Sequence, residues 1–210
     1  MKMKLSIILL GILCSFHAIA DGYLPEPAPL DQPWSVSGSV GGGKYPHPSN
    51  SSPLGRLALG NDLFLTGDYL LGLELGVQSS PKVTLDIPVE TLTVLQWLPI
   101  QASLGPMLDL LITAKSDPLA GSNFFAQLKG GVAYRYWQAH KEPINDYSQI
   151  TGEIQAGLGY PITTLATLNL LYQGVFGNDP NPLINSETKT IHVSNIPTLH
   201  AVLFGFTINL

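Results

Sequence analysis

His192 and Ser194 have the spacing of a general base and a nucleophile in the string His192-Val193-Ser194-Asn195. A histidine in that role removes the proton of the serine hydroxyl, and a carboxylate orients the imidazole. No Asp or Glu occurs from residue 196 to residue 210, and the nearest acid, Glu187, lies upstream. We therefore interpret the string as a polar segment that leads into the last strand, and we predict no catalytic residue.

The other chemistry-bearing residues do not match a metal or phosphate site. Four histidines stand apart from one another and from any Cys or Glu at ligand spacing: His47, His140, His192 and His200. The glycine run 41–43 before Lys44 lacks the first half of a phosphate-binding loop. The net charge of −5 disfavours nucleic acid as a partner. We expect no cofactor, no metal site, no nucleic-acid partner and no enzymatic activity.

Ionisable residues also occur within segments in which apolar and polar residues alternate. Seven of them lie on the less apolar face: Arg56, Asp62, Glu74, Asp109, Lys129, Arg135 and Glu153. An Arg or Lys that faced lipid at the bilayer midplane would cost about 2–4 kcal/mol. Inside a narrow barrel, opposite charges can pair and fill the interior. We therefore predict that these seven side chains form a polar network in a barrel lumen.

The seven ionisable residues lie in stretches of about ten residues in which apolar and polar side chains alternate with a period of two. This pattern is typical of barrel strands. Eight such stretches are predicted: 34–43, 54–66, 69–78, 106–115, 124–137, 150–160, 164–176 and 198–210. A bulge is expected near Gly60. In an alternative assignment, 90–97 is the fourth strand and the count changes. The predicted fold is all-β, an eight-stranded antiparallel up-and-down transmembrane β-barrel.

The connections between these strands alternate in length, as such a barrel requires. Short ones are predicted at 67–68, 116–123 and 161–163, and we assign them to the periplasmic side. Longer, polar ones are predicted to face outside: 44–53, 79–105, 140–147 and 177–197. The loop 79–105 is unusually apolar, so it either extends strands above the membrane or folds against a partner.

The positions of the aromatic residues favour a membrane barrel over a soluble one. Alternation of apolar and polar residues does not separate the two, because it occurs in the strands of both. They lie at the strand ends, on the face predicted to meet lipid: Trp34, Tyr69, Phe124 and Tyr160 at one end, and Tyr136 and Phe176 at the other. We predict that they form the aromatic girdles of the two membrane interfaces. The alternative is that they are core aromatics of a soluble periplasmic lipid-binding barrel.

The amino terminus has the features of an export signal. Lys2 and Lys4 precede an apolar run at 5–13, and Ala18-Ile19-Ala20 offers a small-x-small cleavage pattern. We predict a cleaved signal at 1–20, an extended periplasmic lead-in at 21–33 and a barrel at 34–210. The single cysteine, Cys14, lies in the signal, so no disulfide is expected in the mature chain.

Two segments resemble the small outer-membrane barrel superfamily of OmpA/OmpX-like and opacity-type proteins, including Legionella- and Coxiella-like exported barrels. The segments are MLDLLITAKSDPLAGSNFFAQLKGGVAYRYW (107–137) and GEIQAGLGYPIT (152–163). The last strand, apolar at 202, 204, 206, 208 and 210, resembles the terminal recognition signal of such barrels. That signal usually ends on Phe, whereas this chain ends on Leu210. The resemblance implies an outer-membrane location and assembly by the barrel-assembly machinery through the C-terminal strand.

The expected function is that of a structural or surface-interaction barrel. Its lumen is filled by side chains, it contacts outer-membrane lipid and lipopolysaccharide, and its loops meet a surface ligand that the sequence does not identify. One alternative is a narrow porin-like channel. Another is a membrane-embedded lipid A hydrolase, because the His-x-Ser string resembles that of the lipid A deacylase barrels.

Overall fold

The computed structural model describes residues 33–45, 50–79, 82–84, 101–119, 121–139, 146–178, 181–185 and 190–210. The predicted signal, nearly all of the lead-in and the segment 90–97 lie outside these residues. The strands are β1 (Trp34–Tyr45), β2 (Asn50–Thr66), β3 (Tyr69–Ser79), β4 (Lys82–Thr84), β5 (Gln101–Leu104), β6 (Met107–Pro118), β7 (Phe125–Ala139), β8 (Tyr147–Pro161), β9 (Ala166–Val175), β10 (Asn181–Asn185), β11 (Thr190–Ser194) and β12 (Leu199–Asn209). Within the described residues, no helix has the length and apolar character needed to cross a bilayer.

Eight of these strands close into a ring in the order β1-β2-β3-β6-β7-β8-β9-β12, and every neighbouring pair is antiparallel. Closure is made by β1 and β12, whose register runs from Ser35↔Asn209 to Lys44↔His200. The backbone N–H of Leu210 donates to the carbonyl of Trp34 at 2.8 Å, so the two ends of the barrel segment meet. The predicted eight-stranded antiparallel barrel is confirmed.

The ring has two ends, which we call the turn end and the loop end. The turn end carries the connections 67–68, 119–124 and 162–165 together with Trp34 and Leu210. The loop end carries the long connections. Gly67, in the tight turn between β2 and β3, has a φ of 57°, a conformation in which a side chain would be strained.

Strand bounds differ from the predicted ones mainly at the loop end. β2 begins at Asn50 and β8 at Tyr147, so pairing continues into the predicted loops 44–53 and 140–147. β9 begins only at Ala166, which makes the preceding turn longer than predicted. A β-bulge lies between Asp62 and Phe64, close to the position predicted near Gly60. The bulge places Phe64 opposite Leu71, on the outer face, so the phenyl group of Phe64 stays out of the lumen.

The two longest predicted loops contain further strands. In 79–105, β4 and β5 form a hairpin, and β5 pairs with the last residues of β7, extending the sheet beyond the ring. In 177–197, β10 and β11 form a separate hairpin. The ring is complete without 90–97, since its fourth strand is Met107–Pro118.

The barrel is inverted relative to a soluble one. Its outer wall is apolar and exposed: the exposed fraction is 66% for Val40, 63% for Ile112 and 72% for Ile150. Among the described residues, fourteen buried side chains are polar or charged and twelve are apolar. A soluble barrel places its apolar face inward, so this distribution argues against the alternative of a soluble lipid-binding barrel.

Candidate functional site: the barrel lumen

Four ionised side chains meet in the middle of the lumen, one from each of β2, β3, β6 and β7. Nε of Arg56 donates to Oδ2 of Asp109 at 3.0 Å, and its Nη2 donates to Oδ1 of the same carboxylate. The same Nη2 lies 2.8 Å from Oε1 of Glu74. Nζ of Lys129 donates to both oxygens of Glu74, at 2.7 and 3.0 Å. We call Arg56, Glu74, Asp109 and Lys129 the central ion cluster.

The central ion cluster is electrically balanced and nearly dry. It contains two cations and two carboxylates, and the exposed fraction of the four side chains ranges from 0% to 9%. Period-two alternation brings all four to the inner face, because each occupies an inward position of its strand. Gly76 supplies the space, since a Cβ there would overlap the guanidinium of Arg56 and the carboxylate of Asp109.

A second polar layer lies nearer the turn end. Nζ of Lys115 donates to both carboxylate oxygens of Asp62, at 2.8 and 2.9 Å. Across the lumen, Gln127 donates to Asn169, whose Nδ2 donates to Oγ1 of Thr207 at 2.8 Å. Lys115 was absent from the predicted network because the predicted strand ended there, although it shares the inward parity of Asp109.

On the loop side of the central ion cluster lies a layer of glutamines around Glu153. Its Oε1 accepts hydrogen bonds from Gln155 at 2.6 Å and from Gln173 at 2.7 Å. Gln173 also donates to Oε1 of Gln78 at 3.0 Å. Sequence reasoning placed Glu153 in the lumen but assigned these amides no role. Their signal was available, since all three occupy inward positions of alternating strands.

Arg135 differs from the predicted pattern, since it does not pair with a carboxylate among the described residues. Its guanidinium donates to three backbone carbonyls, of Pro197 at 2.7 Å, Phe176 at 2.8 Å and Ile196 at 3.0 Å. Gly177 leaves room for this arrangement, because a Cβ there would overlap Nη2 of Arg135. The partners of Arg135 therefore include three backbone carbonyls, an arrangement that we call the clamp.

The clamped segment, residues 195–198, lies at the loop end of the lumen. Asn195 has a φ of 69°, which turns the chain inward, and Ile196 is completely buried. The backbone N–H of Ile196 donates to Oε1 of Gln149 at 3.2 Å. Further buried apolar side chains from the same end of the strands complete this layer: Tyr45, Leu54, Val175 and Leu199. The prediction that 177–197 is wholly an outer loop is therefore wrong for its last residues.

The six aromatic residues assigned to girdles lie at the strand ends on the outer face. Near the turn end, the exposed fractions of Trp34 and Tyr69 are 50% and 55%, and the rings of Phe124 and Tyr160 lie 5.1 Å apart. Near the loop end, Phe176 is 55% exposed and the hydroxyl of Tyr136 donates to Asp146 at 2.7 Å. Their contact with membrane interfaces stays a prediction.

The string weighed as a catalytic pair lies in the β10–β11 hairpin. On β11, His192 is opposite Leu183 and Ser194 is opposite Asn181 in the backbone register. Glu187 lies outside the described residues. In the part of the chain that the structure describes, no group of three or more His, Cys, Asp or Glu side chains could hold a metal ion.

No protein-family model and no curated protein matches the chain, whereas fifteen chains of solved structure match it. One is Neisserial surface protein A, 10% identical, with a TM-score of 0.49 over 84% of this chain and 96% of that one. Another is Ail of Yersinia pestis in complex with the heparin analogue sucrose octasulfate, 8% identical, with a TM-score of 0.49 over 84% and 96%. The N-terminal β-barrel domain of Pseudomonas aeruginosa OprF is 16% identical, with a TM-score of 0.41 over 84% and 97%. These values carry no information on the location or ligand of this chain.

Proposed function

We propose that this chain is an integral outer-membrane β-barrel with a closed lumen, which acts as a structural or surface-interaction protein through its loop end. The observation that carries the proposal is the inverted distribution of polarity. Charged side chains pair inside the ring, while a continuous apolar wall faces outward. Such a wall is stable only against hydrocarbon, because exposed apolar patches of this extent are rare in soluble monomers.

The remaining features support one orientation in the membrane. Short turns are typical of the periplasmic side and longer loops of the outer side. A cleaved signal at 1–20 would deliver the chain to the periplasm, and β12 would present the C-terminal strand to the barrel-assembly machinery. The aromatic residues at both strand ends would then lie at the headgroup levels. Outer-membrane lipid and lipopolysaccharide would surround the wall.

Three layers of side chains support a barrel that does not conduct. The central ion cluster fills the middle of the lumen. The layer toward the turn end contains Asp62, Lys115 and Gln127, and the clamped segment 195–198 closes the loop end. An eight-stranded barrel is just wide enough for side chains to fill it. We therefore favour the plugged barrel over the narrow porin-like channel.

Cell fractionation and bilayer recordings test this proposal together. We expect the chain in the outer-membrane fraction, with a mobility in detergent gels that changes on heating. Pure protein in planar bilayers should give no steady openings, with a known large porin as the positive control for insertion. Recovery in the soluble periplasm would refute the membrane location, and steady openings from the pure protein would refute the closed lumen.

We also propose that the chain is not an enzyme. The His192–Ser194 pair would need a carboxylate to orient the imidazole, and residues 196–210 contain none. Cells that express the wild-type chain and the Ser194→Ala variant should therefore have the same lipid A acylation profile in mass spectra. A deacylated species that depends on Ser194 would contradict this proposal.

A further inference from the structure

The apolar outer wall has one seam where cationic and hydrogen-bonding side chains meet. Among the outward-facing residues of the eight ring strands whose side chains the structure describes, Lys44 is the only Lys or Arg and His200 the only His. The two are register partners across the β1–β12 closure, near its loop end. Lys44 has no ion-pair partner among the described residues.

Tyr172 of β9 completes this group. Its hydroxyl lies 2.6 Å from Nδ1 of His200, and the two rings stack with centroids 6.2 Å apart. If the hydroxyl donates, a neutral imidazole carries its proton on Nε2; if Nδ1 donates, the hydroxyl proton is free. In either case the pair keeps one donor for a ligand. Together with the ammonium of Lys44, it presents donors and positive charge to an anion.

An apolar groove of about 280 Å³ runs beside these donors on the outer surface. Its lining includes Gly42, Lys44, Ser51, Tyr172, His200 and Val202. Gly42 creates the depression, because a Cβ built there would meet nothing within 4 Å. Val202 and Tyr172, 54% and 47% exposed, form its apolar side. A groove with an apolar body and a cationic end matches the two parts of an anionic lipid.

We propose that this seam binds a phosphate-bearing lipid of the leaflet at the loop end. The phosphate contacts Lys44 and the His200–Tyr172 pair, and an acyl chain lies in the groove over Gly42. The chemistry favours phosphate because charge-assisted hydrogen bonds to a cation are stronger than neutral ones. The inference rests on the proposed membrane location, since only a membrane brings lipid to this wall.

Native mass spectrometry of the purified barrel in octyl glucoside tests the site, with dioleoyl phosphatidic acid as the probe. Dioleoylglycerol, which has the same chains without the phosphate, is the matched lipid. We expect the wild type to retain one phosphatidic acid molecule. The double variant Lys44→Gln/His200→Gln should bind it at least about tenfold more weakly and bind dioleoylglycerol as before. Equal binding of phosphatidic acid by the wild type and this variant would overturn the proposal.

The groove is tested separately by Gly42→Leu, with Gly38→Leu as the control on the same strand and face. A Cβ at Gly38 makes only an ordinary contact, 3.5 Å from Leu57. Gly42→Leu should weaken the binding of both dioleoyl phosphatidic acid and dioleoylglycerol. Gly38→Leu should leave the binding of both lipids unchanged. Inorganic phosphate at the concentration of the lipid should displace nothing, and displacement by it would contradict a lipid site.

Heat-modifiable mobility and recovery in the outer membrane are measured first for every variant. A wild-type chain found outside the outer membrane would refute both this proposal and the proposed function. A correctly inserted set of variants with unchanged lipid binding would refute the lipid site alone.

Discussion

Replacing Arg56 by Met removes the only cation that contacts Asp109 among the described residues. Glu74 keeps its second partner, Lys129, at 2.7 Å. The carboxylate of Asp109 would therefore lose its cation in a position where its side chain is 0% exposed. Breaking a buried ion pair in this way typically costs about 3–5 kcal/mol. We expect a loss of that size in the free energy of unfolding of Arg56→Met.

The double variant Arg56→Met/Asp109→Asn separates this reasoning from a simple loss of packing. It leaves the Glu74–Lys129 pair intact and restores the balance of charge, so it should be more stable than Arg56→Met alone. Asp109→Asn by itself should cost less, about 1–3 kcal/mol, because Arg56 keeps Glu74. The free energy of unfolding is measured for the wild type, the two single variants and the double variant, which together form a double-mutant cycle. Unfolding in urea is followed in lipid vesicles by tryptophan fluorescence and by gel mobility.

A matched control comes from the other ion pair of the lumen. The side chains of Lys115 and Asp62 are 23% and 13% exposed, so this pair is less completely buried than Arg56 and Asp109, and Lys115→Met should cost less than Arg56→Met. If the double variant is destabilised by the sum of the two single losses, the argument from an unpaired buried charge is refuted. Equal losses for Arg56→Met and Lys115→Met would contradict it as well.

Three further tests concern the outer wall, the space beside the central ion cluster and the clamped segment. Leu110→Arg, in the outer wall, should lower the free energy of unfolding in vesicles by about 2–4 kcal/mol. Leu119→Arg, beyond the strand end, should lower it by about 0–1 kcal/mol, and equal losses would contradict a lipid-facing wall. Gly76→Val should displace the Arg56–Asp109 pair and cost about 1–3 kcal/mol, measured by urea unfolding; a change within error would show that the space is not needed. Arg135→Met should speed hydrogen exchange at the amide of residue 196 at least about tenfold, because the carbonyls of the clamped segment lose a charged donor; unchanged exchange would contradict the clamp.

Much of the fold could be predicted because each barrel strand obeys a local rule. A period of two assigns every residue of a strand to one of two faces, so Glu74 and Asp109 were placed on the same side as Arg56 without knowledge of their partners. Their pairing then follows from the narrowness of an eight-stranded ring. The faces could also be told apart, because a charge in the middle of a strand is tolerated only on the side that offers it a partner.

Features that depend on strand ends or on backbone partners could not be predicted in this way. Lys115 was missed because alternation weakens where a strand meets a turn, whereas in the structure the strand continues to Pro118 and Lys115 contacts Asp62. The bulge between Asp62 and Phe64 was located only approximately, near Gly60, because a bulge shifts the register without changing the composition of the segment.

Arg135 shows most clearly where the sequence stops being informative. Side-chain patterns identify charged residues, so Arg135 was predicted to join a polar network of lumen side chains. Every residue type carries a backbone carbonyl, and two of the three that Arg135 meets, those of Ile196 and Pro197, lie 61 and 62 residues away beside a turn at Asn195. A carbonyl has no signature in the sequence, yet it accepts a hydrogen bond as a carboxylate does. The position of the segment 195–198 therefore follows from where the chain folds back, and a charge inside a barrel predicts a partner without predicting its kind.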